Sequence, residues 1–447
     1  MNINNFFKKD FTNFSVYSTY RGLGNYIDGQ KPSSRKVVQV MMQNNISKNI
    51  KVATLGSKVI ENTEYLHGEA SMFNVIIGMA KNYPGTNNLN IIVPEGSFGN
   101  RIINDAAAPR YIYTKKSPIF DSIFHKDDLN ILDEQFFEGT KIEPKTFLPI
   151  IPLILINGSE GIGSGFSQKI LPRNVYEIID YIKKYLKKEK LPSEIIPSFK
   201  NFKGFISKDE ECKYIISGKL KIKNTSTIII EELPIGYDLK SYIKVLNQLE
   251  DTNKIKSYKD SSNKNNFYFE IKVERKIISE KTEEQLIDLL KLNKRVSENF
   301  TVINESNSIE LFNNEIELIN SFIENRLFNY QKRKDKLIEE IEEEIKVINA
   351  KWMFIKSILD GQIKVHNRKK TEIENQLIEN KFYKVNDSYN FLLNMPIHSF
   401  SEETFKELKK NEDLKIKEKN KLQKKTIKSF WMDDLNKLEQ ELKKQKY

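Results

Sequence analysis

The sequence is poor in the residues that staple a fold or ligate a metal. A single cysteine, Cys212, excludes a disulfide framework and any zinc site built on cysteine pairs. Four histidines occur, His67, His125, His366 and His398, far apart and without an HExxH run, which argues against a self-contained zinc enzyme. The most apolar run, Phe147 to Ile156, is too short to cross a bilayer and contains Pro149 and Pro152. The amino-terminal MNINNFFKKDFTNF lacks the apolar core of a signal peptide. No Walker A pattern, no DxDxD run, no repeat of fixed period and no low-complexity domain is found. These absences lead us to expect a soluble, cytoplasmic protein without a membrane segment.

What is present points to several folded domains. A chain of 447 residues is too long for one compact core. Its hydrophobic content of 39%, with 11% aromatics, is enough to build real cores and rules out wholesale disorder. Lys and Arg number 72 against 61 Asp and Glu, a formal +11 that suits a polyanion such as nucleic acid or an acidic membrane. A composition biased toward Lys, Asn and Ile would give the same excess. The charge is concentrated, however. The first sixty residues hold nine basic side chains and two acidic ones.

Three textures follow one another. Up to about residue 170, helical and strand-like segments alternate, and Arg35 to Gln43 is the clearest helical pattern. From about 172 to 315 strand signals dominate: Tyr214 to Ile216, Thr227 to Glu231, and the alternation of Phe267, Phe269, Ile271 and Val273. The Asn- and Lys-rich run Lys259 to Asn266 reads as an exposed turn. From about 316, Leu337, Ile341, Ile345, Ile348, Trp352, Ile355 and Leu359 recur at helical steps with charges between. A second stripe follows at Trp431, Leu435, Leu438 and Leu442. Between the stripes, Phe382 to Met395 is aromatic and carries turn signals at Asn386-Asp387 and Met395-Pro396. Two long helices with a globular insert at their far end make an antiparallel coiled-coil arm, although each stripe would also suit a helix packed on a core.

The stretch richest in chemistry is Asn104-Asp105-Ala106-Ala107-Ala108-Pro109-Arg110-Tyr111-Ile112-Tyr113-Thr114. Three alanines leave room for another backbone, and Pro109 biases Ala108 toward extended geometry. A tyrosine with its ordinary pKa of about 10 is a poor nucleophile at neutral pH. A neighbouring guanidinium would lower that pKa and bind phosphate oxygens. The chemistry suggested is attack on a phosphodiester to form a covalent phosphotyrosine. Physics alone does not choose between Tyr111 and Tyr113, which would share one face of a strand.

The segment Ala-Ala-Pro-Arg-Tyr-Ile-Tyr-Thr resembles the active-site segment of type IIA DNA topoisomerases. In that family the tyrosine directly after arginine breaks and rejoins DNA, which selects Tyr111. Further motifs run in family order. Asp28-Gly29-Gln30-Lys31-Pro32-Ser33-Ser34-Arg35 is similar to a DG-x-KP-x-x-R segment, and Tyr65-Leu66-His67-Gly68-Glu69 to Y-H-H-G-E. Asn87 to Asn90 and Gly96 to Arg101 match the loop before the tyrosine. Pro149 to Gly165, PIIPLILINGSEGIGSG, is similar to the segment after it. Tyr330 to Asp335 and Tyr389 to Met395 resemble coiled-coil and exit-gate segments. The variants are closest to those of T-even-type phage and eukaryotic members rather than bacterial gyrase. Leu66 stands in place of the first paired histidine, Ser34 sits where relatives often carry Gln or His, and Arg21 to Asn25 lacks the usual proline.

The resemblance implies an α+β, multidomain fold: a winged-helix breakage domain over 1–171, a β-rich tower domain over 172–315, and an antiparallel coiled-coil arm with a helical dimer gate over 316–447. It implies Tyr111, Arg110 and His67 as catalytic residues, with His67 donating to the scissile phosphate. Arg21, Lys31, Arg35 and Lys36 would contact DNA phosphates. Ile162, in the Gly-rich loop from Gly158 to Gly165, would wedge between base pairs and bend the duplex. The rival reading of that loop, a nucleotide loop after a strand-like Leu153 to Ile156, lacks GxGxxG spacing and is followed closely by Pro172.

Two modules are expected elsewhere. Neither a glycine-rich ATPase motif of the topoisomerase kind nor the Glu-Gly-Asp-Ser-Ala segment of its magnesium module occurs. A large partner subunit is therefore expected to bind ATP and Mg2+, with this chain acting on double-stranded DNA as a homodimer through its C-terminal gate. With no DNA-wrapping β-propeller before Tyr447, relaxation and decatenation are expected rather than active supercoiling. The alternative is a non-catalytic DNA-bridging coiled-coil protein of the same fold.

Overall fold

The computed structural model describes residue 3 and residues 6–264, 266–445 and 447. Asn265, within the turn expected at Lys259 to Asn266, and Met1, Asn2, Asn4 and Asn5, within the stretch read for a signal peptide, lie outside the described residues. The chain divides into two compact units, Met1–Arg326 with Met432–Tyr447, and Leu327–Trp431. No helix among the described residues is long and apolar enough to cross a membrane.

The first unit begins with helices α1 (Thr12–Gly22), α2 (Pro32–Gln43), α3 (Val52–Asn62) and α4 (Glu69–Ala80). Pro32 opens α2 because its ring already holds a helical φ and its missing N–H would have no partner in the first turn. Ser34 accepts the Lys31 N–H at 3.0 Å, satisfying a donor just before the helix. Val37, Val38, Val40 and Met41 of α2 are fully buried with Leu55, Val59, Met72 and Ile76 of α3 and α4. Strand β3 (Tyr113–Lys116) lies between β1 (Ile50–Lys51) and β2 (Ile92–Glu95) in a small antiparallel sheet. The hairpin of β4 (Ser159–Gly163) and β5 (Phe166–Ile170) pairs Ile162 with Ser167.

The strand-like run Leu153 to Ile156 is instead a short helix, Leu153–Asn157, entirely buried in that run. Length and burial cannot separate a short core helix from a core strand. Here Leu155 and Ile156 both donate to the Pro152 carbonyl, which starts a helical turn.

The strands read between 172 and 315 fall into two larger sheets. Strand β7 (Lys213–Ser217) lies between β6 (Phe205–Glu210) and β12 (Asn293–Ser297), and the other sheet runs β8 (Lys219–Asn224), β9 (Thr227–Glu232), β11 (Phe269–Lys272), β10 (Ser257–Asp260). Leu220, Ile228, Ile230, Phe269 and Ile271 point from the second sheet into a core shared with Tyr242 and Leu246. Those two belong to helix α6 (Leu239–Asp251), which follows α5 (Val175–Lys187) and is capped by Asp238 accepting the Ser241 N–H at 2.7 Å. Strands β13 (Phe300–Ile303) and β14 (Ile309–Phe312) lead into helix α7 (Glu315–Leu359) of 45 residues. Within this unit α7 is tied down by Arg326, which forms a buried fork on Asp128 at 2.6 and 3.2 Å.

In the second unit the rest of α7 runs antiparallel to α8 (Glu402–Lys424). The register is read from Lys419–Glu342, Lys415–Glu344 and the donation of both Asn349 and Trp352 to Glu412. Between the helices, Phe354, Ile363, Leu377, Phe382 and Leu392 form a small separate core. Asn386 and Asp387 both take positive φ, 47° and 56°, in the turn their identities predict. The stripe from Trp431 to Leu442 lies on helix α9 (Ile427–Lys444), and Leu435, Leu438 and Leu442 are buried within the first unit, where Lys183 pairs with Glu439.

Candidate functional site

The Arg110–Tyr111 pair sits on a turn, not on a strand. Tyr111 donates its N–H to the Ala108 carbonyl at 2.9 Å, so Pro109 and Arg110 occupy the turn's centre. Strand β3 begins at Tyr113, so the expectation that Tyr111 and Tyr113 share one strand face does not hold. Proline's fixed φ favours the turn and ends any extended run before it. The turn is pinned to the start of α3, where the Val52 and Ala53 N–H groups donate to Ile112 and Pro109 carbonyls at 3.0 and 3.2 Å. Those N–H groups have no partner inside their own helix. Ile112 is buried beneath, while Tyr111 is 66% exposed. The Arg110 guanidinium lies over the Tyr111 ring, 5.0 Å from its centroid. The cation therefore covers the ring face and leaves the hydroxyl open to solvent.

A second cluster joins α1 to the segment before α4. The Tyr17 hydroxyl and His67 Nε2 are 2.9 Å apart, and Arg21 lies over the Tyr17 ring at 5.4 Å. Loss of solvent and the charge of Arg21 both push the His67 pKa down, so the neutral ring dominates at neutral pH. When Nε2 accepts the tyrosine proton, Nδ1 carries the ring hydrogen and is a donor. Arg21 is exposed and has no carboxylate partner among the described residues. Tyr17 was not singled out from the sequence; fifty residues separate it from His67, and no local pattern joins them.

Ile162 stands 81% exposed on β4, in a hairpin rather than a loop. The hairpin leans on α1 at Gly22, and Lys31 donates to the Glu160 carbonyl at 2.8 Å. Burial holds the Lys31 pKa below its usual value. Gln168, buried on β5, also went unnoticed in the sequence. It accepts from the Gly24 N–H and donates to the Thr301 carbonyl, both at 2.8 Å, and accepts from Ser159. One amide thus ties the hairpin to the end of α1 and to β13.

Two expected DNA contacts are corrected. Arg35 is 1% exposed and forks onto Asp28 at 2.7 and 3.3 Å. Asp28 also accepts the Phe147 N–H, so the pair is part of the core and not a phosphate contact. Lys36 is likewise spent on the Thr63 carbonyl at 2.6 Å and Glu143 at 2.8 Å. Both lie on the same helix as four buried apolar residues, where a charge survives only with a partner.

Among the described residues, no hydrogen bond or ion pair joins the Arg110–Tyr111 turn to His67. No group of three or more His, Cys, Asp or Glu side chains among them could hold a metal ion.

The family model for the A-type subunit of DNA gyrase/topoisomerase IV matches residues 21–436. Mitochondrial DNA topoisomerase 2 of Dictyostelium discoideum is 32% identical over 454 residues, covering 98% of this chain and 35% of that protein. DNA topoisomerase 2-alpha of Rattus norvegicus is also 32% identical, with 98% of this chain and 32% of the relative covered. The chain thus spans about a third of the length of the curated relatives it matches. A crystal structure of the Plasmodium falciparum topoisomerase II DNA-binding, cleavage and re-ligation domain superimposes with a TM-score of 0.89 at 32% identity, covering 99% of this chain and 64% of that one.

Proposed function

We propose that this chain, which belongs to the DNA gyrase/topoisomerase IV family, makes and reseals a transient double-strand break in DNA, so that a second duplex can pass. The observation that carries the reading is the exposed Tyr111 hydroxyl beside Arg110 on a turn fixed to α3. The Tyr111 oxygen attacks a backbone phosphorus and the bond to the 3′ oxygen breaks. The phenol proton leaves, the departing 3′ oxygen gains one, and the 5′ phosphate stays on the tyrosine. Because one phosphodiester replaces another, resealing is the reverse step and needs no external energy. Arg110 swings from the ring face to the phosphate oxygens, and neutral His67 donates to the charge that develops there. Arg21 and Lys31 hold the duplex through its phosphates, and Ile162 enters the base stack.

In this reading residues 1–171, 172–315 and 316–447 act as the winged-helix, tower, and coiled-coil and gate regions. Two copies work as a pair, one Tyr111 per strand, joined through the far end of the second unit. Ile397, 90% exposed there, offers that end an apolar contact. ATP binding and the Mg2+ site are assigned to a large partner subunit. Supporting this is the lack of a suitable ligand group among the described residues.

The test incubates the chain with a labelled duplex, a divalent ion and a candidate large subunit, followed by detergent quenching and peptide mapping. A nucleotide adduct on Tyr111 is expected, and Tyr111→Phe should abolish it with duplex affinity retained. An adduct on Tyr113 would move the role there. No adduct, despite tight binding and a verified partner, would favour the non-catalytic bridging protein.

A further inference from the structure

Apart from the residues assigned to cleavage, one cleft of the first unit has the chemistry of an anion site. It encloses about 610 Å³ between the loops around Lys81 and Arg101, the base of the β4–β5 hairpin, and strand β12. Lys81, Arg101, Lys169 and Lys294 line it, and Glu160 is the one carboxylate among its described lining residues. That carboxylate sits 3.4 Å from Lys169, and Arg101 has a carboxylate partner, Glu232, outside the lining.

The cations differ in how far the protein satisfies them. Arg101 donates to Glu232 at 3.2 Å and to the Leu233 carbonyl at 2.8 Å, yet its Nε is buried without a hydrogen-bond partner. Burial outweighs Glu232 and lowers the Arg101 pKa, so its charge is under-compensated. Among the described residues, Lys81 donates to a neutral acceptor, the Asn104 carbonyl at 2.9 Å, and lies over the Tyr83 ring. Lys294 has no carboxylate partner among the described residues and lies against Gly236, where a Cβ would come within 2.4 Å of its Nζ. Gly236 holds a φ of +100°, which side-chain-bearing residues rarely adopt, and this keeps the wall beside the lysine bare. Tyr83, Phe199 and Tyr237 supply apolar and aromatic surface beside the charges. A cleft of this size suits a ligand with a ring as well as an anionic group.

We propose that this cleft binds the phosphate of a nucleotide unit, with Arg101 and Lys294 as its principal ligands. The phosphate belongs either to a free mononucleotide or to the backbone of a bound duplex. The site is separate from the cleavage reading, and its first test does not depend on DNA being cut.

The full chain is titrated calorimetrically with ADP and with pyrophosphate, without metal, alongside Lys294→Ala. Lys294 is exposed and unpaired, so this variant should melt with the wild type. Saturable binding, weakened about tenfold or more by Lys294→Ala, would identify the free nucleotide as the source. The second arm measures duplex affinity against salt. If the small anions do not bind but the log–log slope falls by about one in Lys294→Ala, the phosphate is that of DNA. If neither small-anion binding nor the salt slope depends on Lys294, the cleft is not an anion site. Loss of cleavage activity alone would leave both readouts intact and would count only against the proposed cleavage function.

Discussion

Gly161 and Gly22 meet backbone to backbone: a Cβ on Gly161 would lie 1.9 Å from the Gly22 carbonyl oxygen. The reverse holds as well, since a Cβ on Gly22 would come within 2.3 Å of the Ile162 carbonyl oxygen. Helix α1, which carries Arg21, and the hairpin that carries Ile162 are thereby seated at a fixed spacing. A side chain at either position must push them apart. Gly161→Ala should cost about 1–3 kcal/mol of stability, as overpacking does. It should also reduce DNA bending, measured by energy transfer between duplex ends. An unchanged melting temperature with unchanged bending would show that the contact positions nothing.

Ile162 itself should behave in the opposite way. Exposed side chains away from special features change stability by no more than about 0.5 kcal/mol. Ile162→Ala is therefore expected to melt like the wild type and to lose the bend. A variant that bends DNA fully would remove Ile162 as the wedge.

Arg21 and Arg35 look alike in sequence and should separate cleanly by experiment. Breaking the buried Arg35–Asp28 pair leaves a stranded charge, which typically costs about 3–5 kcal/mol. Arg35→Ala should thus unfold at much lower denaturant. Arg21→Ala should keep its stability, bind duplex more weakly, and lower the salt slope by about one. Equal stability of the two variants would contradict the burial of Arg35.

His67 gives a pH signature. Its folded pKa lies below the ordinary histidine value because solvent is lost and Arg21 is near. The unfolded chain then binds more protons in the window below about pH 6.5, so this group's contribution to stability falls as pH drops through it. Above that window both states are neutral and the contribution is flat. Titration of His67 by NMR should show a midpoint under about 6.5, and Arg21→Ala should raise it. A midpoint at or above that value, or one unmoved in the variant, would overturn the assignment.

Some features were decided by the sequence alone because their causes are local. The apolar steps from Leu337 to Leu359 specify a long helix whatever it packs on. Asn386-Asp387 makes its turn for a similarly local reason. The order Arg110-Tyr111 and the motifs around it were also enough to place the chain in its family. Other features depended on partners far along the chain. The charges of Arg35 and Lys36 are spent on Asp28 and Glu143, and an isolated pattern of basic residues does not reveal which are paired. Leu153 to Ile156 reads as a strand because every side of that run is buried, which removes the periodicity that would distinguish helix from strand. Tyr17 meets His67, and Gln168 joins Gly24 to Thr301, only once the backbone has folded. Burial and long-range pairing set the availability of each charge, and both are properties of the packed chain.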